Sequence, residues 1–268
     1  MKDRSMKLAV TGKGGTGKTT LAGLLAYLFK EDGCQVLAVD ADPDANLASA
    51  LGVPPAQADA IIPISRHTAL IQERTGAASG QFGQMFKLNP EVKDLPERFL
   101  YDHSGIRLLV LGAVAKGGGG CACPENVFLR SLLSEIILNR NEVIIVDMEA
   151  GIEHLGRAVT RSIDMMLIVV EPGSRSVSTA RTIMRLAHDI GIDSFGIIGN
   201  KIQTEEQRQW ITDRFEDDRI LGILSYSEII RDADLQRLPL IENMDDRLRR
   251  EIRTICAKVT DKIASRSP

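Results

Sequence analysis

The sequence predicts an α/β fold, a doubly wound and mostly parallel sheet flanked by helices, on three observations. Short apolar runs recur along the chain, segments of helical spacing separate them, and the glycine-rich stretch "GKGGTGKTT" (12–20) joins the first run to the first helix. Near-continuous apolar runs are what strands need when helices cover both faces of a sheet, because no solvent face remains for polar residues. Ligands of such sheets bind at the carboxyl ends of the strands.

In chain order, "KLAVTG" (7–12) reads as the first strand, and "TTLAGLLAYLFKEDG" as the helix after it, stopped by a glycine. "CQVLAVDAD" (34–42) is the second strand. Residues 53–105 interrupt the alternation with "VPP", "IIPIS", "GAASGQFGQ" and "LNPEVKDLPERF", where apolar residues are scattered among turn formers. This segment reads as an insertion of short helices and loops beside the sheet. The strands resume with "IRLLVLG" (106–112), "EVIIVDMEAG" (142–151), "DMMLIVVEPG" (164–173), "SFGIIGNK" (194–201) and "RILGIL" (219–224). Helical patterns at 125–140, 174–190 and 204–215 separate them, and one more helix follows the last strand. Four successive glycines at 117–120 read as a loop, since each would lose more backbone entropy on ordering than any other residue. The expected organisation is a single domain spanning 1–268 with the insertion at about 53–105.

A hydrophobic fraction of 44% and a charged fraction of 26% are ordinary for a soluble globular chain, and a formal charge of −3 gives no global electrostatic case for nucleic acid. The start, "MKDRSMKLAVTG", is apolar for only a few residues before the glycine loop, so neither a secretory signal nor a membrane span is expected. A cytoplasmic location follows. Four cysteines in a reducing compartment point to metal or redox chemistry rather than a disulfide framework.

The stretch 12–20 matches G-x-x-x-x-G-K-[ST] between a strand and a helix, the context that identifies a phosphate-binding P-loop. Gly12, Gly14, Gly15, Thr16 and Gly17 let successive backbone N–H groups face phosphate oxygens, and Lys18, Thr19 and Thr20 open the helix. Lys18 is expected at the β- and γ-phosphates of ATP, and Thr19 at Mg²⁺. Three aspartates, Asp40, Asp42 and Asp147, close predicted strands on the same edge. Each alone suits a helix cap, but together they supply the carboxylates that phosphoryl transfer needs beside its metal and its water.

Lys13, directly after the first glycine, resembles the extra lysine of the deviant Walker A ATPases, the family of the nitrogenase iron protein, septum-site ATPases, partition ATPases and metal-inserting accessory ATPases. The resemblance implies an ATP-dependent homodimer in which Lys13 reaches the nucleotide of the other subunit. "VDADPDAN" is similar to that family's first switch, which implies that Asp42 orients the attacking water and that Asp40 and Asn46 support the Mg²⁺ shell. Asp147, opening "DMEAGIEHLG", is similar to the Walker B acid of the second switch. Asn200 stands where the family has a base-contacting asparagine.

"GGGGCACPEN" (117–126) places Cys121 and Cys123 on a glycine hinge at the strand edge that carries the P-loop. Two thiolates make half of a closed four-ligand site, so a face-to-face dimer would complete it. Taken together, "GKGGTGKTT", "DADPDAN", "CACPEN" and "DMEAGIEHLGR" resemble the CooC-type nickel-insertion ATPases of carbon monoxide dehydrogenase and their acetyl-CoA synthase relatives, over nearly the whole chain. The resemblance implies Ni²⁺ as cargo and an apo nickel enzyme, carbon monoxide dehydrogenase or acetyl-CoA synthase, as partner. Ligand chemistry alone would suggest Zn²⁺ or an iron–sulfur cluster first. Cys34 and Cys256 sit in apolar periodic surroundings and read as buried, inert thiols.

The leading reading is an ATPase that loads and releases a metal, with neither nucleic acid nor membrane as partner. The alternative is a spatial-positioning ATPase acting on membrane or DNA. Its support is "RLRREIRTICAKVTDKI", where Leu248, Ile252, Ile255, Val259 and Ile263 form an apolar stripe flanked by basic residues. The competing account of that stripe is that it covers the sheet.

Overall fold

The computed structural model describes residues 5–78, 84–112, 123–140, 142–150, 162–236, 238–242 and 244–265. Among these, eight strands form one sheet: β1 (Met6–Gly12), β2 (Val36–Ala41), β3 (Tyr101–His103), β4 (Ile106–Val110), β5 (Val143–Met148), β6 (Met165–Val170), β7 (Phe195–Ile202) and β8 (Ile220–Ser225). Their order is β3-β4-β2-β5-β1-β6-β7-β8, parallel throughout except for the antiparallel pair β3–β4. The expected mostly parallel, doubly wound sheet is present.

Alternate residues of the central strands enter two separate cores. Leu8 and Val10 of β1, Val36 and Ala38 of β2, and Met165, Leu167 and Val169 of β6 face a layer that includes α1 (Lys18–Glu31) and the last helix. Ala9, Leu37, Val39, Met166 and Ile168 face the opposite layer, built on α6 (Pro124–Asn139), α7 (Ser174–Asp189) and α8 (Glu205–Thr212). Burial on both faces accounts for the uninterrupted apolar runs.

Residues 53–105 hold short elements: α3 (Pro55–Ala58) after α2 (Leu47–Ala50), a 3₁₀ turn (Ile64–Arg66), α4 (Thr68–Thr75) and α5 (Leu95–Phe99). They also hold β3, which the apolar runs did not signal. β3 joins β4 through Ser104 and Gly105, whose φ angles of 51° and 76° are both left-handed, as a two-residue hairpin turn of the I′ kind demands.

Two helices, not one, follow β8: α9 (Glu228–Gln236) and α10 (Asp246–Ala264). Asp245 caps α10, its carboxylate accepting the Leu248 N–H at 2.7 Å. The C-terminal stripe is buried: Leu248, Ile252, Ile255 and Val259 lie in the core shared with α1, while Arg249 and Arg253 pair with Glu31 and Asp32 across the α1–α10 seam. No described helix is long and apolar enough to cross a membrane.

The helix lies so close to the sheet that a methyl group on Gly222 of β8 would collide with Ile255. We expect Gly222→Ala to destabilise the chain by about 1–3 kcal/mol, the usual range for overpacking a core. Urea unfolding checks this, and an unchanged midpoint would show that α10 is not seated firmly on β8.

Candidate functional site

Strands β1, β2 and β5 end side by side, with Val10 opposite Asp147 and Asp147 opposite Asp40. The loop from β1 to α1 passes over these ends. Gly15 and Gly17 have φ of 81° and 92°, values that favour glycine, and a methyl group on Gly17 would also collide with the Asn200 amide. Gly17 sits at the N-cap of α1, so the N–H groups of the first helical turn have no partners within the helix and face the loop.

The structure brings the predicted polar residues together. Thr19 Oγ1 donates to Asp147 Oδ2 at 2.6 Å, and Lys18 Nζ lies 4.0 Å from Asp42 Oδ2. Asp40 Oδ2 accepts the Leu47 N–H at 2.8 Å and Oδ1 accepts the Asp42 N–H at 3.2 Å, which folds "DADPDAN" back over the strand end. Asn46, at the N-cap position of α2 but with no capping bond from its side chain, lines with Lys18, Thr19 and Asn200 a cleft of about 750 Å³ that extends to Tyr226 and Arg231.

Burial dominates the electrostatics. It pushes the Asp40 carboxyl up to about 7, against the Leu47 N–H, with the neighbouring Asp147 charge adding to the rise. It pushes Asp147 up to about 6, against the Thr19 hydroxyl and the Lys18 ammonium. Asp147 Oδ1 is buried with no hydrogen-bond partner among the described residues. An orphaned carboxylate oxygen beside a threonine hydroxyl, under a ring of N–H groups, is a donor set that fits Mg²⁺ on a nucleotide phosphate.

Two lysines brace the loop. Lys13 lies 3.8 Å and Lys201 lies 3.7 Å from the Glu171 carboxylate at the end of β6. Lys201 also donates to the Gly15 carbonyl, and Asn200 Nδ2 donates to the Thr16 carbonyl at 2.8 Å. Asn200 Oδ1 accepts the Lys201 N–H at 2.9 Å, which fixes the amide with its Nδ2 end toward the P-loop. Sequence reasoning missed Glu171 and Lys201. Neither lies in a motif that points to the P-loop, which is more than a hundred residues away in the chain.

Cys121, the glycines at 117–120 and the second-switch stretch at 151–156 lie outside the described residues. Cys123 is the N-cap residue of α6, half-buried, and burial raises its thiol pKa. Its loop is rooted at the site, since Leu111 and Gly112, just past β4, donate to the Asp40 carbonyl at 2.8 and 3.4 Å. No group of three or more metal-ligating side chains occurs among the described residues. Cys34 and Cys256 are buried and line one cavity of about 440 Å³, and burial pushes the Cys256 thiol up to about 12, leaving it protonated.

Residues 7–240 match the CobQ/CobB/MinD/ParA nucleotide binding domain. The chain is 49% identical over 229 residues to the carbon monoxide dehydrogenase accessory protein CooC of Rhodospirillum rubrum, covering 85% of this chain and 87% of that one. It is 43% identical over 253 residues to an uncharacterised ATP-binding protein of Methanocaldococcus jannaschii, covering 93% and 96%. The septum site-determining protein MinD of Pyrococcus horikoshii, solved with Mg-ADP, has the same fold, with a TM-score of 0.67, 22% identity and 97% of each chain covered.

The raised Asp147 pKa sets a pH dependence. Protons bind this carboxyl more tightly in the fold than in the unfolded chain, so its stabilising contribution is present below about pH 4 and is lost as pH rises through about 6. At ~1.4 kcal/mol per pKa unit, the loss approaches roughly 3 kcal/mol. In the nucleotide-free, magnesium-free chain, Asp147→Asn should therefore gain stability at pH 8 relative to the parent and little at pH 4.5. Equal differences at the two values in urea unfolding would contradict this account.

Proposed function

The chain belongs to the CobQ/CobB/MinD/ParA nucleotide-binding family, the deviant-P-loop ATPases, and on that premise we propose that this ATPase is a metallochaperone. It loads Ni²⁺ onto the thiolates of Cys121 and Cys123 from two protomers and delivers the ion to an apo carbon monoxide dehydrogenase or acetyl-CoA synthase. The observation that carries the reading is the likeness, over most of both chains, to a carbon monoxide dehydrogenase accessory protein. The Cys-x-Cys spacing supports it, because two thiolates per chain leave a soft divalent cargo half coordinated until a second chain closes on it. Zn²⁺ is the competing cargo on ligand chemistry alone.

In this reading ATP lies along the cleft, its phosphates against Gly12–Thr20 and its base toward Asn200. Lys18 places its charge on the β- and γ-phosphate oxygens. Asp42, held by the Asp44 N–H at 3.0 Å, orients the attacking water from the edge of the first switch. Thr19 and Asp147 hold Mg²⁺, with Asp40 and Asn46 behind them. Mg²⁺ supplies neutralisation of the charge that develops on the phosphate oxygens. Lys13 leaves Glu171 to reach the partner's nucleotide, which ties hydrolysis to the dimer. Leu111 and Gly112, which lead from β4 toward the cysteines, donate to the Asp40 carbonyl, so the chain entering the cysteine segment is tied to the first switch, and metal release is coupled to turnover through that tie.

The alternative, a positioning ATPase on a membrane, draws on a structural likeness that carries the fold alone. The stripe it would use is covered by the sheet and α1.

Lys13→Ala should impair ATP-dependent dimerisation while leaving nucleotide binding by the monomer nearly unchanged. Light scattering with a non-hydrolysable ATP analogue checks this, and an unchanged dimer would leave Lys13 as a surface lysine. Cys121→Ser and Cys123→Ser should each abolish tight Ni²⁺ binding, which in the parent should reach one ion per two chains, and should spare basal ATP hydrolysis. Equilibrium dialysis with size-resolved mass measurement tests both points. One tight ion per chain, or tight binding that survives the double serine variant, would overturn the shared-site reading.

A further inference from the structure

A second concave site, of about 520 Å³, lies between α7 and α8 on the face of the sheet opposite α1. Its walls are cationic. Arg181 and Arg185 stand one turn apart on α7, Ser178 and Thr182 share that helix face, and Arg214 closes the cleft just beyond α8. Trp210 forms the apolar wall.

Two of the arginines are positioned by backbone carbonyls rather than by acids. The Arg214 guanidinium lies over the Trp210 ring, 3.6 Å from its centroid, and donates to the Trp210 carbonyl at 2.6 Å. Arg181 donates to the Arg214 carbonyl at 3.3 Å. None of the three makes an ion pair among the described residues. Elsewhere on the same chain arginines find carboxylates readily, as at Arg74, Arg140, Arg219, Arg249 and Arg253. With a formal charge of −3, the protein has acids to spare, yet none lines this cleft among the described residues.

We propose that this cleft is a docking site for a carboxylate-rich segment of a partner protein. Guanidinium groups grip carboxylates through two parallel hydrogen bonds, and the Ser178 and Thr182 hydroxyls add donors between them. Arg181 and Arg185 are separated by about 6 Å along the helix axis, a spacing that suits successive acidic side chains better than one small anion. Nucleic acid fits less well. Stacking of bases needs an open aromatic face, and Arg214 already covers one face of Trp210. The positive charge is confined to one cleft of a net acidic chain, whereas a nucleic-acid backbone needs a basic track.

The place in the fold gives the site a connection. α7 starts at Ser174, three residues after Glu171, the carboxylate that holds Lys13 and Lys201 of the nucleotide site. A partner held on α7 therefore sits on the element that follows the P-loop's own latch. The inference does not rest on the cysteines or on nickel, so it stands or falls apart from the metal reading.

Trp210 is the only tryptophan of the chain, which makes its fluorescence a direct reporter. The full-length protein is titrated with hexaglutamate, with inorganic phosphate and with a short DNA duplex, and calorimetry is run in parallel. Hexaglutamate should bind saturably, change the Trp210 emission and weaken as salt is raised. Arg181→Ala/Arg185→Ala should weaken hexaglutamate at least about tenfold, the scale of a lost charge-assisted hydrogen bond, with circular dichroism and basal ATP turnover unchanged. The proposal is overturned if hexaglutamate gives neither heat nor fluorescence change, if the double variant binds it as well as the parent, or if phosphate or the duplex changes the Trp210 emission at lower concentration than the peptide, with the P-loop filled by Mg-ADP in every titration.

Discussion

Two carboxylates buried beside each other govern the architecture of the nucleotide site. Asp40 and Asp147 are opposite one another at the ends of β2 and β5, each shielded from water. Placing two like charges there is unfavourable unless donors or a cation compensate. The chain supplies the Leu47 and Asp42 N–H groups to Asp40 and the Thr19 hydroxyl to Asp147, with Lys18 nearby. These fall short, since burial still holds both carboxyls well above the ordinary carboxylate range. The shortfall is what a divalent ion would remove. A site built this way is least settled when empty and would be most settled when loaded, so part of the binding free energy would be felt in the segment after β2, which hangs from Asp40.

The outer side of the P-loop is organised for the same purpose. A peptide group is planar, with its N–H and C=O pointing in opposite directions. The Asn200 amide holds the Thr16 carbonyl and the Lys201 ammonium holds the Gly15 carbonyl, both from the β7 side. Fixing these carbonyls outward turns the N–H groups of the following residues inward, toward the place of the phosphates. β7 thus preorganises a cradle made by β1 and α1. Lys13 is held more loosely, because it and Glu171 are both partly exposed, and exposed ion pairs contribute about 0–1 kcal/mol. Such a pair holds Lys13 near the P-loop while leaving it free to move at little cost.

Strands buried on both faces announced themselves in the sequence, because their apolar runs have no polar alternation to confuse with a helix. β3 did not, since Tyr101, Asp102 and His103 form a short, partly exposed edge strand with no apolar run. The "SG" at 104–105 was the available signal, a turn pair whose left-handed geometry only the fold makes explicit. The split after β8 was legible only as Pro239, which cannot continue a helix. Asp40, Asp42 and Asp147 could be found because strand ends and motif spacing converge on one edge. Glu171 and Lys201 could not, because their partner is the P-loop, more than a hundred residues away in the chain, and pairing at that distance leaves no local pattern. The arginine cleft was hidden for a different reason: net charge sums over the whole surface, and a concentrated positive site disappears within a total of −3.

The two sites are joined by one stretch of chain. β6 lies against β1, with Thr11 opposite Ile168 and Gly12 opposite Val169, so its end is fixed to the start of the P-loop. Glu171 follows directly and accepts Lys13 and Lys201, and its own N–H donates to the Ser176 hydroxyl at 3.1 Å in the first turn of α7. Ser176 is buried, as are Val177, Ala180, Ile183 and Ala187 on the inner face of the helix, so α7 is a rigid body seated on the sheet rather than a surface arm. A shift of Glu171 would therefore be felt at the first turn of α7, because the buried inner face of that helix leaves no room to absorb it. Its outer face carries Arg181 and Arg185. Under the proposed docking, a partner held there and a nucleotide at the P-loop would press on opposite ends of the same short lever, an arrangement through which each would influence the other without any contact between them.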